Sequence, residues 1–270
     1  QRKAMLIPDT KSTALIVEYD GSNYFGWQRQ KKENSVQQEI ESALQKIFGI
    51  KFSIIAAGRT DTGVHSYGQV CSFINQEQIK ITEEKLAAAL NFYLPNDIRI
   101  IKAKYLDFPF HARFDAIARE YIYKIALVPS VFSRKYSYHI KYKLDFELLQ
   151  AASKLFLGEK DFSTFSKFNN EVKNHICNII ICDWRYTFEN NIELKIKANR
   201  FLYGMVRQCV GAMIDVARKK INLDELKRRM DAADRKFCFP SAPANGLFLS
   251  RIYYPDDIQK ALNFTAPVLS

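Results

Sequence analysis

The sequence predicts an α+β fold built as two halves, each with antiparallel strands and two main helices. Three observations predict it. A chain of 270 residues has room for two domains of about 100–150 residues each. The first half reads strand, helix, strand, strand, helix, strand, and the second half repeats that plan loosely. No low-complexity linker separates them.

The elements follow in order from local chemistry. Residues 13–19 form a β-rich run. Ser35 and Gln38 make a capping box, after which Val36, Ile40, Ala43, Leu44 and Ile47 keep helical spacing until Gly49 stops the helix. Strands are expected at 52–57 and 69–74. Thr82 with Glu83 and Glu84 opens a second helix that Pro95 follows, and 98–105 closes the half. In the second half, 120–127 alternates Tyr121, Tyr123 and Ile125 as a strand. Residues 146–156 read as a helix ended by Gly158, and 172–188 with 192–198 as a hairpin. Residues 201–217 form a helix, Asn222 caps another through about Arg235, and 247–253 closes the sheet. These orders resemble paired RNA-recognition-like α/β sandwiches, with the sheets packed together around a central basic cleft. The expected domains are 1–108, carrying the loop described below, and 109–270, joined near 106–118.

Lys plus Arg exceed Asp plus Glu by 40 − 29 = 11, a surplus that suggests a polyanionic partner. The cations cluster: Arg29, Lys31 and Lys32; Arg134, Lys135, Lys141 and Lys143; Arg218, Lys219 and Lys220; Arg228, Arg229, Arg235 and Lys236. A single cluster is ordinarily a solvated face. Four, one of them interleaved with Tyr136, Tyr138 and Tyr142, favour nucleic acid. The five cysteines form no Cys-x-x-Cys pair, and several lie in apolar runs, the usage of buried thiols in a reducing compartment. No His/Cys cluster suggests a metal. No apolar run is long enough for a membrane span, and the start lacks a signal peptide's pattern, so the expectation is a cytoplasmic protein.

Residues 58–69 carry the most information. Asp61 lies between Gly58 and Gly63 and two residues from Arg59, on a loop between two strand-like runs. Glycine permits the tight turns and the close ligand approach that such a loop needs. A plain Asp-Thr-Gly turn with a surface Arg–Asp pair explains the spacing equally well. The stretch Gly-Arg-Thr-Asp-Thr-Gly-Val-His-Ser, however, closely resembles the Gly-Arg-Thr-Asp-Ala-Gly-Val-His-Ala signature of the TruA family of tRNA pseudouridine synthases, departing only at Thr62 and Ser66. Other motifs resemble that family in order: 19–28, 111–114, 118–123, 158–165, 201–211 and 243–247.

The resemblance implies an enzyme that isomerises uridine to pseudouridine at positions 38, 39 and 40 of the tRNA anticodon arm. It implies Asp61 as the catalytic nucleophile or base, and Tyr121 as the residue contacting the target uracil. Arg207 is implied as the cation beside the aspartate, and Arg59 as a residue that fills the place of a flipped base or binds phosphate. It also implies a homodimer and no cofactor. The residues give partial support. Gly204, Arg207 and Gly211 share a helix face, and two interior glycines on one face suggest that another backbone approaches, expected to be the Asp61 loop. The alternating Tyr121 and Tyr123 alone would suit any half-buried strand. His65 reads as a buried loop histidine held by backbone. The alternative function is a non-catalytic RNA-binding or RNA-folding protein on the same scaffold. A hydrolase would need a second carboxylate, which the signature lacks.

Overall fold

The computed structural model of the protein describes residues 11–75, 81–167, 174–187 and 191–264. It forms two units. One runs to Ile117 and resumes at Leu249; the other is Ala118–Phe248. The sequence places the join within 106–118, and the chain does cross there, but it crosses back at Phe248/Leu249. The division at 108/109 missed that return because a strand's partner is set by pairing far away in sequence, which local pattern does not carry.

In the first unit, β1 (Ser12–Tyr19) pairs antiparallel with β3 (His65–Ile74) on one side and β4 (Ile98–Leu106) on the other. The two-residue β2 (Ile55–Ala56) lies against β3, and β10 (Leu247–Tyr253) follows β3 in the strand order. Helices α1 (Val36–Phe48) and α2 (Glu83–Tyr93) bury Val36, Ile40, Leu44, Leu86 and Leu90 with Leu15 and Val17 of β1. Their ends follow the sequence signals. Ser35 Oγ accepts from the Gln38 amide and Gly49 ends α1 at φ +73°, while Thr82 Oγ1 accepts from the Lys85 amide. A short α6 (Asp256–Leu262), not foreseen, follows β10. The expected strand at 52–57 shrinks to Ile55–Ala56, the two residues that pair with β3, although Phe52 and Ile54 keep the alternating burial of a strand and lie in the core.

The second unit orders its strands β5 (Ala118–Ala126), β9 (Asn191–Ala198), β8 (Ile176–Thr187) and β7 (Gly158–Asp161), all antiparallel. A two-residue β6 (Tyr138–His139) runs parallel to the end of β5. The expected hairpin is β8–β9; its turn and residues 172–173 lie outside the described residues. Helix α3 (Phe146–Leu155) packs on α4 (Met205–Ala217), which is buried nearly all round, and α5 (Leu223–Asp231) is capped by Asn222 as expected.

Two helix boundaries differ from the sequence reading. α4 begins at Met205, not 201, because Gly204 adopts φ +73° just before it. α5 ends at Asp231, not 235, because Ala233 turns to φ +48° and residues Arg235–Phe237 form a separate 3-10 turn. Mainly antiparallel strands carrying helices in each unit agree with the expected α+β class.

Candidate active site

The Asp61 loop is fixed from both ends and from below. The Ala57 amide donates to Val70 O at 2.8 Å, the last rung before the chain leaves β3. Gly58 is then held twice by the buried Gln69 of β3: its carbonyl accepts from Gln69 Nε2 at 2.7 Å, and its amide donates to Oε1 at 3.4 Å. Thr60 Oγ1 lies 2.8 Å from the Tyr19 hydroxyl, and Thr60 O accepts from the Trp27 amide at 3.1 Å. Beyond Asp61, Gly63 takes φ +77° while its amide donates to Tyr24 O, and the Val64 amide closes back on Asp61 O at 3.1 Å.

The bed beneath the loop is the segment Tyr19–Trp27, and its glycines are there to let the two backbones touch. A Cβ on Gly21 would sit 2.0 Å from Val64 O, and one on Gly26, at φ +89°, would sit 2.5 Å from Thr60 O. Neither separation is possible for a real side chain, so only glycine allows the loop this position. Burial pushes the Tyr19 phenol far above its usual pKa, and burial with Asp97 does the same for Tyr24, whose hydroxyl donates to Asp97 Oδ1 at 2.5 Å. Both phenols are neutral: the Tyr19 hydroxyl shares its hydrogen bond with Thr60 of the loop, and the Tyr24 hydroxyl donates to Asp97 while its backbone carbonyl receives the Gly63 amide. Asp61 itself is half-buried and Arg59 is exposed.

His65 is buried, as the sequence suggests, and its Nδ1 lies 3.1 Å from the Gly21 amide and 3.0 Å from Asp20 Oδ1. The two contacts ask opposite things of Nδ1. The amide hydrogen points at the ring nitrogen, and Asp20 Oδ1 already accepts from the Ser22 amide and hydroxyl at 2.9 and 2.6 Å. The Gly21 amide donates to Nδ1, which makes the ring a structural tie between β3 and the Gly21 turn.

The second unit assembles its own cluster. Tyr121 on β5, opposite Ile196, is 7% exposed and meets Phe201 edge-on, with ring centroids 5.2 Å apart. Two residues along the same face, Tyr123 is fully buried, and its hydroxyl donates to Pro243 O at 2.9 Å. Arg207 on α4 is half-buried. Its Nε donates to Ala242 O at 2.7 Å, its own carbonyl accepts from the Ala242 amide at 2.9 Å, and its charge acts on Tyr123. A Cβ on Gly211 would lie 1.9 Å from Pro240 O, whereas Gly204 meets only the Lys167 side chain and needs glycine for its left-handed backbone. The backbone that requires room at Gly211 is thus residues 240–242, which corrects the expectation that the Asp61 loop occupies it. The segment 240–246 ties α4 to β5, and so places Arg207 near the strand of Tyr121 and Tyr123.

The family described as tRNA pseudouridine synthase matches residues 15–115 and 152–255, which include Arg59, Asp61 and Arg207 but not Tyr121. A tRNA pseudouridine synthase A from Acetivibrio thermocellus is 40% identical over 247 residues, 90% of this chain and 100% of that protein. Enzymes of the same name from Bacteroides fragilis and Bacillus subtilis are each 37% identical, over 90% and 88% of this chain and 96% and 97% of theirs. Among solved structures, an archaeal box H/ACA Nop10–Cbf5 complex aligns with a TM-score of 0.33 and 9% identity, over 83% of this chain and 59% of that one, too loosely to inform fold or function. The chain belongs to the TruA family of tRNA pseudouridine synthases, isomerases that modify tRNA.

Proposed function

We propose that the protein converts uridine to pseudouridine in the anticodon stem-loop of tRNA, at positions 38, 39 and 40, with Asp61 as the group that acts at the sugar. In this reaction the C1′–N1 bond breaks, the uracil turns, and a C1′–C5 bond forms. The proton on C5 leaves and N1 gains one, so atoms balance without a redox partner. One carboxylate at C1′ supports this chemistry, either by bonding to it or by taking a proton.

The observation that carries the reading is the clamping of the Asp61 loop. Gln69, Tyr19, Trp27 and Tyr24 fix the backbone on both sides of one half-buried aspartate. A reacting carboxylate needs such pre-organisation, and a binding loop facing polyanionic RNA has no use for its charge. Tyr121, Arg59 and Arg207 bind substrate in this reading. Tyr121 supplies a ring for the flipped uracil and the arginines supply charge for phosphate or for the reacting centre. The paired RNA-recognition-like description of the two units, a homodimer and a cytoplasmic setting belong to the same proposal. Among the described residues no helix is long and apolar enough to cross a membrane.

The test is to incubate an unmodified tRNA transcript with the protein and to map pseudouridine by mass spectrometry of nuclease fragments. Product confined to positions 38 to 40 is expected. Product elsewhere overturns the anticodon placement, and no product overturns the catalytic reading.

A further inference from the structure

Residues 128–144 lie outside both stretches that match the family, and they have an unusual composition. They contain Arg134, Lys135, Lys141 and Lys143 together with Phe132, Tyr136, Tyr138 and Tyr142, and no Asp or Glu. At their tip Phe132 is 91% exposed and Val131 66%. A lone exposed apolar residue needs no explanation. This one is held out on a built turn. The Phe132 amide donates to Ser130 Oγ, the Tyr136 amide to Ser133 O at 2.8 Å, Ser137 Oγ to Ser133 O at 3.0 Å, and Arg134 Nη1 to Val131 O at 2.9 Å.

The turn is also anchored by a residue distant in sequence. Asn245 spends both hydrogens of its amide on it, donating to Arg134 O at 2.9 Å and to Ser137 O at 2.8 Å. Asn245 sits in a 3-10 turn whose Gly246 is pressed against the β5 backbone, with no room for a Cβ beside Lys124 O, and whose neighbour Pro243 takes the Tyr123 hydroxyl. One short segment, 240–246, therefore positions both the Arg207–Tyr123 cluster and the exposed turn.

We propose that the turn 130–137, held by Asn245, is a contact site for an unpaired stretch of the RNA substrate, with Phe132 stacking on a base and Arg134 and Lys135 facing the adjoining phosphates. The inference rests on the proposed tRNA modification. Rigid, outward aromatic rings flanked by cations are what base stacking and phosphate neutralisation require. A second copy of this chain fits less well, because a run of four cations without an acid on a chain of net charge +11 would meet like charge.

The experiment uses the intact protein and a full-length tRNA transcript, with the parent's pseudouridine formation as the first measurement. If the parent makes no product, it is the catalytic reading that fails. With an active parent, Phe132→Ala should raise KM for tRNA about tenfold with kcat at saturation within about twofold, while Phe132→Trp restores KM. Because the side chain is solvent-exposed, neither change should disturb folding, which a thermal melt checks. Arg134→Ala with Lys135→Ala should lower the slope of log affinity against log salt by about two, a change Phe132→Ala does not make. An unchanged KM in Phe132→Ala overturns the proposal. So does a loss of oligomeric mass by light scattering with tRNA affinity intact, which would give the turn to a second copy of the chain.

Discussion

Gln69 holds the Asp61 loop from outside it. Its side chain is buried, and both ends of its amide are used on Gly58, two residues before Thr60 and three before Asp61. Leucine has the volume and neither bond, so Gln69→Leu leaves the Gly58 carbonyl and amide without these partners, at a cost of about 1–3 kcal/mol. A shift of about an ångström in a reacting group costs roughly a hundredfold in rate. Gln69→Leu should therefore lower kcat by about ten- to a hundredfold, with tRNA affinity within about threefold. Single-turnover kinetics beside a binding titration checks this, and equal losses in both would show that Gln69 serves binding instead. Nothing in the sequence marks Gln69, since a glutamine between strand residues reads as surface. Asp61 stands out in the sequence because its loop, between two glycines and two residues from Arg59, resembles a family signature.

At the scale of elements, capping chemistry was readable and close backbone approach was not. Ser35, Gly49, Thr82 and Asn222 end or begin helices where the sequence placed them, because a cap is a contact across only two or three residues. Gly21, Gly26 and Gly211 owe their identity to carbonyls distant in sequence, at Val64, Thr60 and Pro240. The pattern at Gly204 and Gly211 signalled an approaching backbone correctly for one of the pair and named the wrong segment. Two glycines of similar dihedral separate conformation from contact. Gly49, at φ +73°, would place a Cβ in open space, while Gly26, at φ +89°, would drive one into Thr60 O. Gly49→Ala should cost about 1 kcal/mol of stability from backbone strain and leave kcat unchanged. Gly26→Ala should displace the loop and lower kcat at least about tenfold. Denaturant melts and initial rates of the two variants make the comparison, and parallel behaviour would contradict the role given to the Tyr19–Trp27 bed.

For the whole molecule, the sequence conveyed the α+β class and the order of most elements. It did not convey the return of the chain to the first unit at Leu249, where Ser66 Oγ donates to Leu249 O at 3.2 Å. Such a bond spans 183 positions, and no periodicity carries it. That return also brings β10 beside β3, the strand that carries Gln69 and follows directly from the Asp61 loop. The central claim is that this framework exists to hold one aspartate for chemistry on tRNA. The most direct test is Asp61→Asn, which keeps the shape of the side chain and removes its charge. Pseudouridine formed in an unmodified tRNA transcript would be counted by mass spectrometry, with tRNA affinity measured on the same preparation. The account predicts no detectable product and an affinity within about tenfold of the parent, ~1.4 kcal/mol. Appreciable turnover by the asparagine variant would remove Asp61 from the mechanism and contradict the account.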